Sequence, residues 1–230
     1  MMTAISNEAE RWEAGSRKDP IRNKFVIPEV VRILEATKPT TILDIGSGTG
    51  YVARTIHEQL TCAPRWTLVD MNEARLDVAR RHQPESMICE WMSADVMDLP
   101  ETGRTYDTVL ALFTLLEIPD LPSCIKCLHA LTGADGRLII ALPDAWVDVI
   151  KHADEAEPSA LRRFLNKPVS IEKIDKFTGN AYPFRAVRLE QIISQVLAEG
   201  FSLTELRQSP TGTGEVFLLT FTRRQEVGHA

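Results

Sequence analysis

The run Thr41-Ile42-Leu43-Asp44-Ile45-Gly46-Ser47-Gly48-Thr49-Gly50 restricts the possible folds of this chain more than any other stretch. Residues 42–45 read as a buried strand. Three glycines then fall at every second position, and residues 51–59 carry a helical pattern. Glycine tolerates left-handed backbone, and it removes a side chain where a ligand would sit against the main chain. A strand, a glycine turn and a helix aim a helix N-terminus at a ligand beyond the carboxyl end of the strand. Alone, such a loop does not say which ligand.

Strand-like and helix-like runs alternate around this unit. Residues 28–36 read as a helix with Pro28 in its first turn. Strands are predicted at 42–45, 65–70, 87–92, 108–113 and 136–142, with helices at 51–59, 72–81 (Asn72 as its cap) and 121–131, the last ended by Gly133. This alternation implies parallel βαβ units with helices on both faces of one sheet. It breaks over 144–187, which shows no clean strand and a helical run at 150–165. A connection that long is usually a lid. Trp146, His152, Phe164, Phe177, Tyr182 and Phe184 make it aromatic-rich. Alternation resumes with a helix at 189–199 closed by Gly200. Strands at 201–206 and 215–222 follow, joined as an antiparallel hairpin through Thr211-Gly212-Thr213-Gly214. The expected fold is α/β: a Rossmann-like, seven-stranded, mostly parallel sheet with an inserted substrate lid at 144–187, all in one domain, 1–230.

The flanking acids narrow the ligand. A dinucleotide fingerprint reads G-x-G-x-x-G, but here the third glycine comes one residue early and Tyr51 stands in its place. Asp44, two residues before the loop, would repel a pyrophosphate and suit a cation. A nicotinamide-dependent oxidoreductase is therefore the disfavoured alternative. Asp70 ends the second strand, where an acid accepts hydrogen bonds from vicinal ribose hydroxyls and Met71 offers an apolar face to a purine. Asp95 follows the third strand, placed for an adenine amino group with Val96 against the ring.

The ordered segments Leu43-Asp44-Ile45-Gly46-Ser47-Gly48-Thr49-Gly50, Val69-Asp70, Ala94-Asp95, Tyr106-Asp107-Thr108-Val109-Leu110 and Leu131-Thr132-Gly133-Ala134-Asp135-Gly136-Arg137-Leu138 resemble class I S-adenosylmethionine-dependent methyltransferases. The resemblance covers residues 25–145 well and the final hairpin in outline. It implies the strand order 3-2-1-4-5-7-6, S-adenosylmethionine as cofactor, and contacts at Asp44, Gly46, Gly48, Asp70, Met71, Asp95, Val96, Leu112 and Phe113. Trp12, Arg17, Asp19-Pro20-Ile21-Arg22 and Pro28 resemble an entry segment of small-molecule members that folds over the cofactor, giving 1–27 that role. Arg22 then either pairs with the cofactor carboxylate or lies on the solvent face. The Asn/Asp-Pro-Pro-Tyr/Phe motif of amino-methylating enzymes is absent: Ala111-Leu112-Phe113-Thr114-Leu115-Leu116-Glu117 stands there.

The expected activity is methyl transfer to a small-molecule acceptor at oxygen or nitrogen. The sequence leaves the acceptor, the catalytic base and the oligomeric state open. His152, Glu117 and Tyr182 are base candidates, and Asp144 lies at the same strand edge. The alternative, an RNA or protein methyltransferase, rests on the basic residues Arg162, Arg163, Lys167, Lys173, Lys176, Arg185 and Arg188. A net charge of -6 argues against a large nucleic-acid footprint. No apolar run approaches the ~20 residues of a membrane span, and residues 1–11 carry no signal-peptide core, so the expected location is cytoplasmic. Cys62, Cys89, Cys124 and Cys127 include one C-x-x-C pair without a second, so no metal site is expected.

Overall fold

Side chains of the central strand β1 (Thr41–Ile45) alternate between two hydrophobic layers, and this alternation organises the molecule. Ile42 joins one layer, and Leu43 and Ile45 join the other. A computed structural model describes residues 4–152, 164–165, 168–174, 179, 181–210 and 216–225. The remaining strands are β2 (Arg65–Asp70), β3 (Cys89–Ser93), β4 (Tyr106–Leu112), β5 (Thr132–Pro143), β6 (Val169–Ile174), β7 (Ala181–Ala186), β8 (Phe201–Gln208) and β9 (Val216–Arg223). The helices are α1 (Ala4–Lys18), α2 (Ile27–Thr37), α3 (Tyr51–His57), α4 (Glu73–Arg81), α5 (Leu121–Leu131), α6 (Ala145–His152) and α7 (Leu189–Ala198).

Seven strands form one sheet in the order β3-β2-β1-β4-β5-β9-β8. β1 to β5 are parallel to one another, and β9 runs antiparallel to both β5 and β8. The expected order 3-2-1-4-5-7-6 is met, with β8 and β9 as the sixth and seventh strands. Residues from α2 and α3 pack with Ile42, Leu110 and Ile139 on one face. Residues from α5 and α7 pack with Leu43, Val109 and Ile140 on the other. The strands are apolar on both sides because both sides are covered.

Three sequence expectations change. The insert 144–187 holds strands: β6 and β7 pair antiparallel as a separate two-stranded sheet. Pro183 hides β7 in the sequence, yet proline is tolerated here because both strands of such a ribbon are edges. Gly133 does not end α5. Thr132 leaves the helix with extended backbone (φ -85°, ψ 124°) and begins β5 at once. Gly133 to Gly136 instead absorb a register shift between Tyr106↔Thr132 and Thr108↔Arg137, with Asp135 left-handed at φ 61°. Finally, the helix expected at 150–165 begins earlier, as α6 at Ala145, and residues 153–163 lie outside the described set.

Gly50 joins α3 to the sheet. It is left-handed at φ 68°. A Cβ there would lie 3.1 Å from Ala79 Cβ and 3.2 Å from Leu68 Cδ1, so α3 can approach α4 and β2 only without a side chain. Gly50→Ala should therefore lower unfolding free energy by about 2–4 kcal/mol, from left-handed strain plus overpacking. Urea titration reads this, and an unchanged midpoint would refute it.

Candidate functional site

The glycine loop after β1 is fixed from β2. Gly46, Gly48 and Gly50 are all left-handed, at φ 63°, 57° and 68°. Asp70, the last residue of β2, accepts the Gly48 N–H on Oδ2 at 2.7 Å and the Asn72 N–H on Oδ1 at 2.8 Å. The Ser47 N–H reaches the Val69 carbonyl at 2.9 Å. Asn72 caps α4, accepting from Ala74 and Arg75. One carboxylate thus sets both the loop and the start of the next helix.

The Cβ directions of these glycines are taken by protein side chains. A Cβ on Gly46 would lie 1.9 Å from Thr114 Oγ1, and one on Gly48 would lie 3.3 Å from Trp12 Nε1. Thr114 arrives there because Phe113 is left-handed at φ 67° and turns the chain sharply after β4. That conformation is strained for an aromatic residue, and such strain concentrates at functional sites. The Phe113 N–H is anchored to the Ala141 carbonyl at 2.8 Å.

Asp44 stands in β1 on the same face as Ile42. It is 3% exposed and has no hydrogen-bond partner among the described residues. Burial, aided by the nearby charge of Asp70, pushes its pKa up to about 8. A buried carboxyl with no partner fits a ligand that brings a donor or a positive charge.

The other residues predicted for the site lie around this point. Met71 is 74% exposed beside Asp70, an unusual position for a large apolar side chain. Asp95 follows β3 and caps a 3-10 turn, accepting the Met97 N–H at 2.9 Å, and Val96 is buried behind it. Arg22 is turned inward, not to solvent. It pairs with the buried Asp19 at 2.7 Å, and its guanidinium lies 4.7 Å from the centre of the Phe113 ring. Arg22, Asp44, Gly46, Gly48, Asp70, Met71, Asp95, Val96 and Phe113 come from separate elements; apart from Arg22, all lie at or just beyond the carboxyl ends of β1 to β4.

The catalytic candidates are less connected. Glu117 is exposed in the 3-10 turn Leu115–Glu117. The side chains of His152, on α6, and Tyr182, on β7, lie outside the described set. Asp144 accepts the Trp146 N–H at 2.9 Å and so organises the start of α6. Of the insert's aromatics, Trp146 packs on Phe164 at 4.7 Å, and Phe164 and Phe184 are buried in the core, so these three join insert to domain. Among the basic residues, Arg185 donates to the Pro119 carbonyl and Arg188 pairs with Glu190 at 2.9 Å. Arg162, Arg163, Lys167 and Lys176 lie outside the described set. No described group of three or more His, Cys, Asp or Glu is placed to hold a metal ion.

Sequence reasoning missed Glu13 and Arg54. Glu13 shares the inward stripe of α1 with Ala9 and Ser16, and Arg54 lies on the inner face of α3. An acid and a base at inward positions of two helices is the signal that was available. They pair at 2.7 Å beneath the glycine loop.

Residues 42–136 match the family described as a methyltransferase domain. The malonyl-[acyl-carrier protein] O-methyltransferase of Halorhodospira halophila is 28% identical over 85% of this chain and 59% of its own length. A ubiquinone biosynthesis O-methyltransferase of Coxiella burnetii is 24% identical over 61% of this chain and 60% of its own. Segment 42–136 of this chain is thus similar to methyltransferase domains. The magnesium protoporphyrin IX methyltransferase of Synechocystis, solved with bound S-adenosylhomocysteine, shares its fold at TM-score 0.68. That match has 18% identity and covers 93% of each chain. The N-methyltransferase NodS of Bradyrhizobium japonicum superposes at TM-score 0.65 with 13% identity, covering 97% of this chain and 100% of its own. The chain spans about three fifths of the length of these two curated relatives.

The raised Asp44 pKa has a stability consequence. Between its unfolded value, 3.8, and about 8, the folded state holds a proton that the unfolded state has lost. Its contribution to stability therefore falls as pH rises through that window, by at most about 1.4 kcal/mol per pH unit. Asp44→Asn should flatten this slope and be more stable than wild type at pH 8. Urea titrations of the cofactor-free proteins at pH 5 and pH 8 check it; parallel profiles would refute the assignment.

Proposed function

We propose that this chain transfers a methyl group from S-adenosylmethionine to a small-molecule acceptor, at oxygen or nitrogen. The observation that carries the cofactor reading is Asp44: a buried acid with no hydrogen-bond partner among the described residues, near Asp70 and two residues before a left-handed glycine loop. A cationic nucleoside fits that arrangement, whereas a pyrophosphate would meet two acids. In this reading Asp70 holds the ribose while keeping the Gly48 N–H, since each carboxylate oxygen has more than one acceptor site. Met71 covers the purine and Asp95 accepts its amino group, with Val96 behind. Arg22, held between Asp19 and Phe113, meets the amino-acid carboxylate with its planar fork.

When bound, the sulfonium supplies an already activated methyl group. The residues of the chain then bind, orient and exclude water, so that the acceptor lies in line with the bond to be broken. Residues 1–27 are proposed to cover the cofactor and 144–187 to close over the acceptor. A hydroxyl or amine acceptor must lose a proton, and His152, Tyr182 or Glu117 would take it. The two curated relatives are named as O-methyltransferases, which supports a small acceptor here. Free cysteines at 62, 89, 124 and 127, and no described helix long and apolar enough to cross a membrane, accord with a cytoplasmic setting.

Calorimetry should show S-adenosylhomocysteine binding and no NAD binding; the reverse would overturn the proposal. Asp70→Ala should weaken S-adenosylhomocysteine by about 1–3 kcal/mol, from lost hydrogen bonds to a charged group. Wild-type affinity in a folded Asp70→Ala protein would remove Asp70 from the site.

A further inference from the structure

Beneath the glycine loop lies an ionic network that the fold itself does not require. Glu13 is 4% exposed, and three groups converge on its carboxylate. The Thr49 hydroxyl donates to Oε2 at 2.5 Å, Arg54 donates to Oε1 at 2.7 Å, and Arg17 reaches Oε1 at 2.9 Å. Arg54 also donates to the Thr49 carbonyl at 2.5 Å. Burial acts on Arg54 to lower its pKa, a measure of the desolvation this pair bears. Replacing a buried ion pair by apolar side chains of similar volume is often neutral or stabilising. Stability alone therefore does not explain an acid and a base at these positions.

Leucines could fill the same space, but they could not grip Thr49. That residue stands between Gly48 and Gly50, both left-handed, in a stretch whose glycines lose the most freedom on ordering. Glu13 holds its hydroxyl and Arg54 its carbonyl, so two of the three polar groups of Thr49 are held by this pair. On the adjoining position of α1, Trp12 lies against Gly48, and Arg75 covers its ring at 4.4 Å. Helix α1 thus touches the loop by a polar grip and an aromatic one.

We infer that Glu13 is a positioning residue for the cofactor: acting through Thr49 and Arg54 it fixes the glycine loop in its binding conformation, coupling the docking of α1 to cofactor affinity. The inference rests on the cofactor reading above. By reciprocity, a cofactor that prefers the gripped loop favours the docked helix.

The test compares full-length wild type with Thr49→Val and with the double variant Glu13→Leu/Arg54→Leu, measuring S-adenosylhomocysteine affinity by calorimetry and Tm in the absence of cofactor. The double variant removes both buried charges together, so neither is left unpaired. Affinity should fall at least about tenfold, ~1.4 kcal/mol, in both variants while Tm changes little. A leucine pair that binds like wild type would make the network structural only and overturn the inference. Should that pair fail to fold, Thr49→Val decides, since it deletes one hydroxyl: unchanged affinity overturns the inference, and reduced affinity at unchanged Tm supports it. Wild type that bound no S-adenosylhomocysteine would instead overturn the cofactor reading itself, and this inference with it.

Discussion

Asp70 commits both carboxylate oxygens to backbone N–H groups, one in the loop after β1 and one at the start of α4. The rest of the site follows from that placement. The Gly48 N–H donates to Asp70 from a left-handed backbone (φ 57°), which glycine permits. With the loop so held, Thr49 faces α1 and α3, and Gly50 opens α3 close against α4 and β2. The same carboxylate brings a negative charge to Asp44, whose burial already disfavours ionisation. A structural clasp and an electrostatic cost thus share one residue. The cost makes sense if a positive ligand relieves it, because a buried charge is stabilised by a partner and penalised without one.

Much of this was legible in the sequence, for physical reasons. Strands covered on both faces must be apolar throughout, and helices between them repeat every three to four residues, so 65–70 and 121–131 coincide with the ends of β2 and α5. Asn72 was readable as a cap because its side chain acts locally. The loop and the acids Asp44, Asp70 and Asp95 were readable because their spacing fixes them to strand ends. What could not be read depends on contacts between distant segments. Gly133 looks like a helix stop until β4 is known to impose a register shift on β5. The β6–β7 ribbon gives a weak signal since two edge strands need no alternating buried face and admit Pro183. Glu13 and Arg54 are 41 residues apart and meaningful only as a pair. Phe113 carries no sequence mark of its left-handed backbone.

The position of Arg22 changes the meaning of the N-terminal segment. The sequence left it either on the solvent face or toward the cofactor. Its pairing with the buried Asp19 and its stacking on Phe113 turn it inward, where it ties the segment before α2 to the strained turn after β4. Nearby, Tyr51, standing where a dinucleotide loop would carry glycine, donates to Asn23 at 2.6 Å. The departure from the dinucleotide fingerprint is therefore used as an attachment point for the N-terminal segment. A glycine at 51 would leave Asn23 without that contact.

The three glycines, which look equivalent in the sequence, answer to three different neighbours. Gly46 yields to Thr114 from the turn after β4, Gly48 to Trp12 from α1, and Gly50 to Leu68 and Ala79 from β2 and α4. Each missing side chain admits a different element to the end of β1. The loop's Cα side is thereby filled by protein, and the exposed Met71 marks the open side beyond β2. Where a loop's side-chain directions are all occupied from within, a ligand meets backbone and the acids beside it. In the proposed reading, affinity depends on how firmly the backbone is held, and the grip on Thr49 sits at the middle of the stretch with the least stiffness of its own.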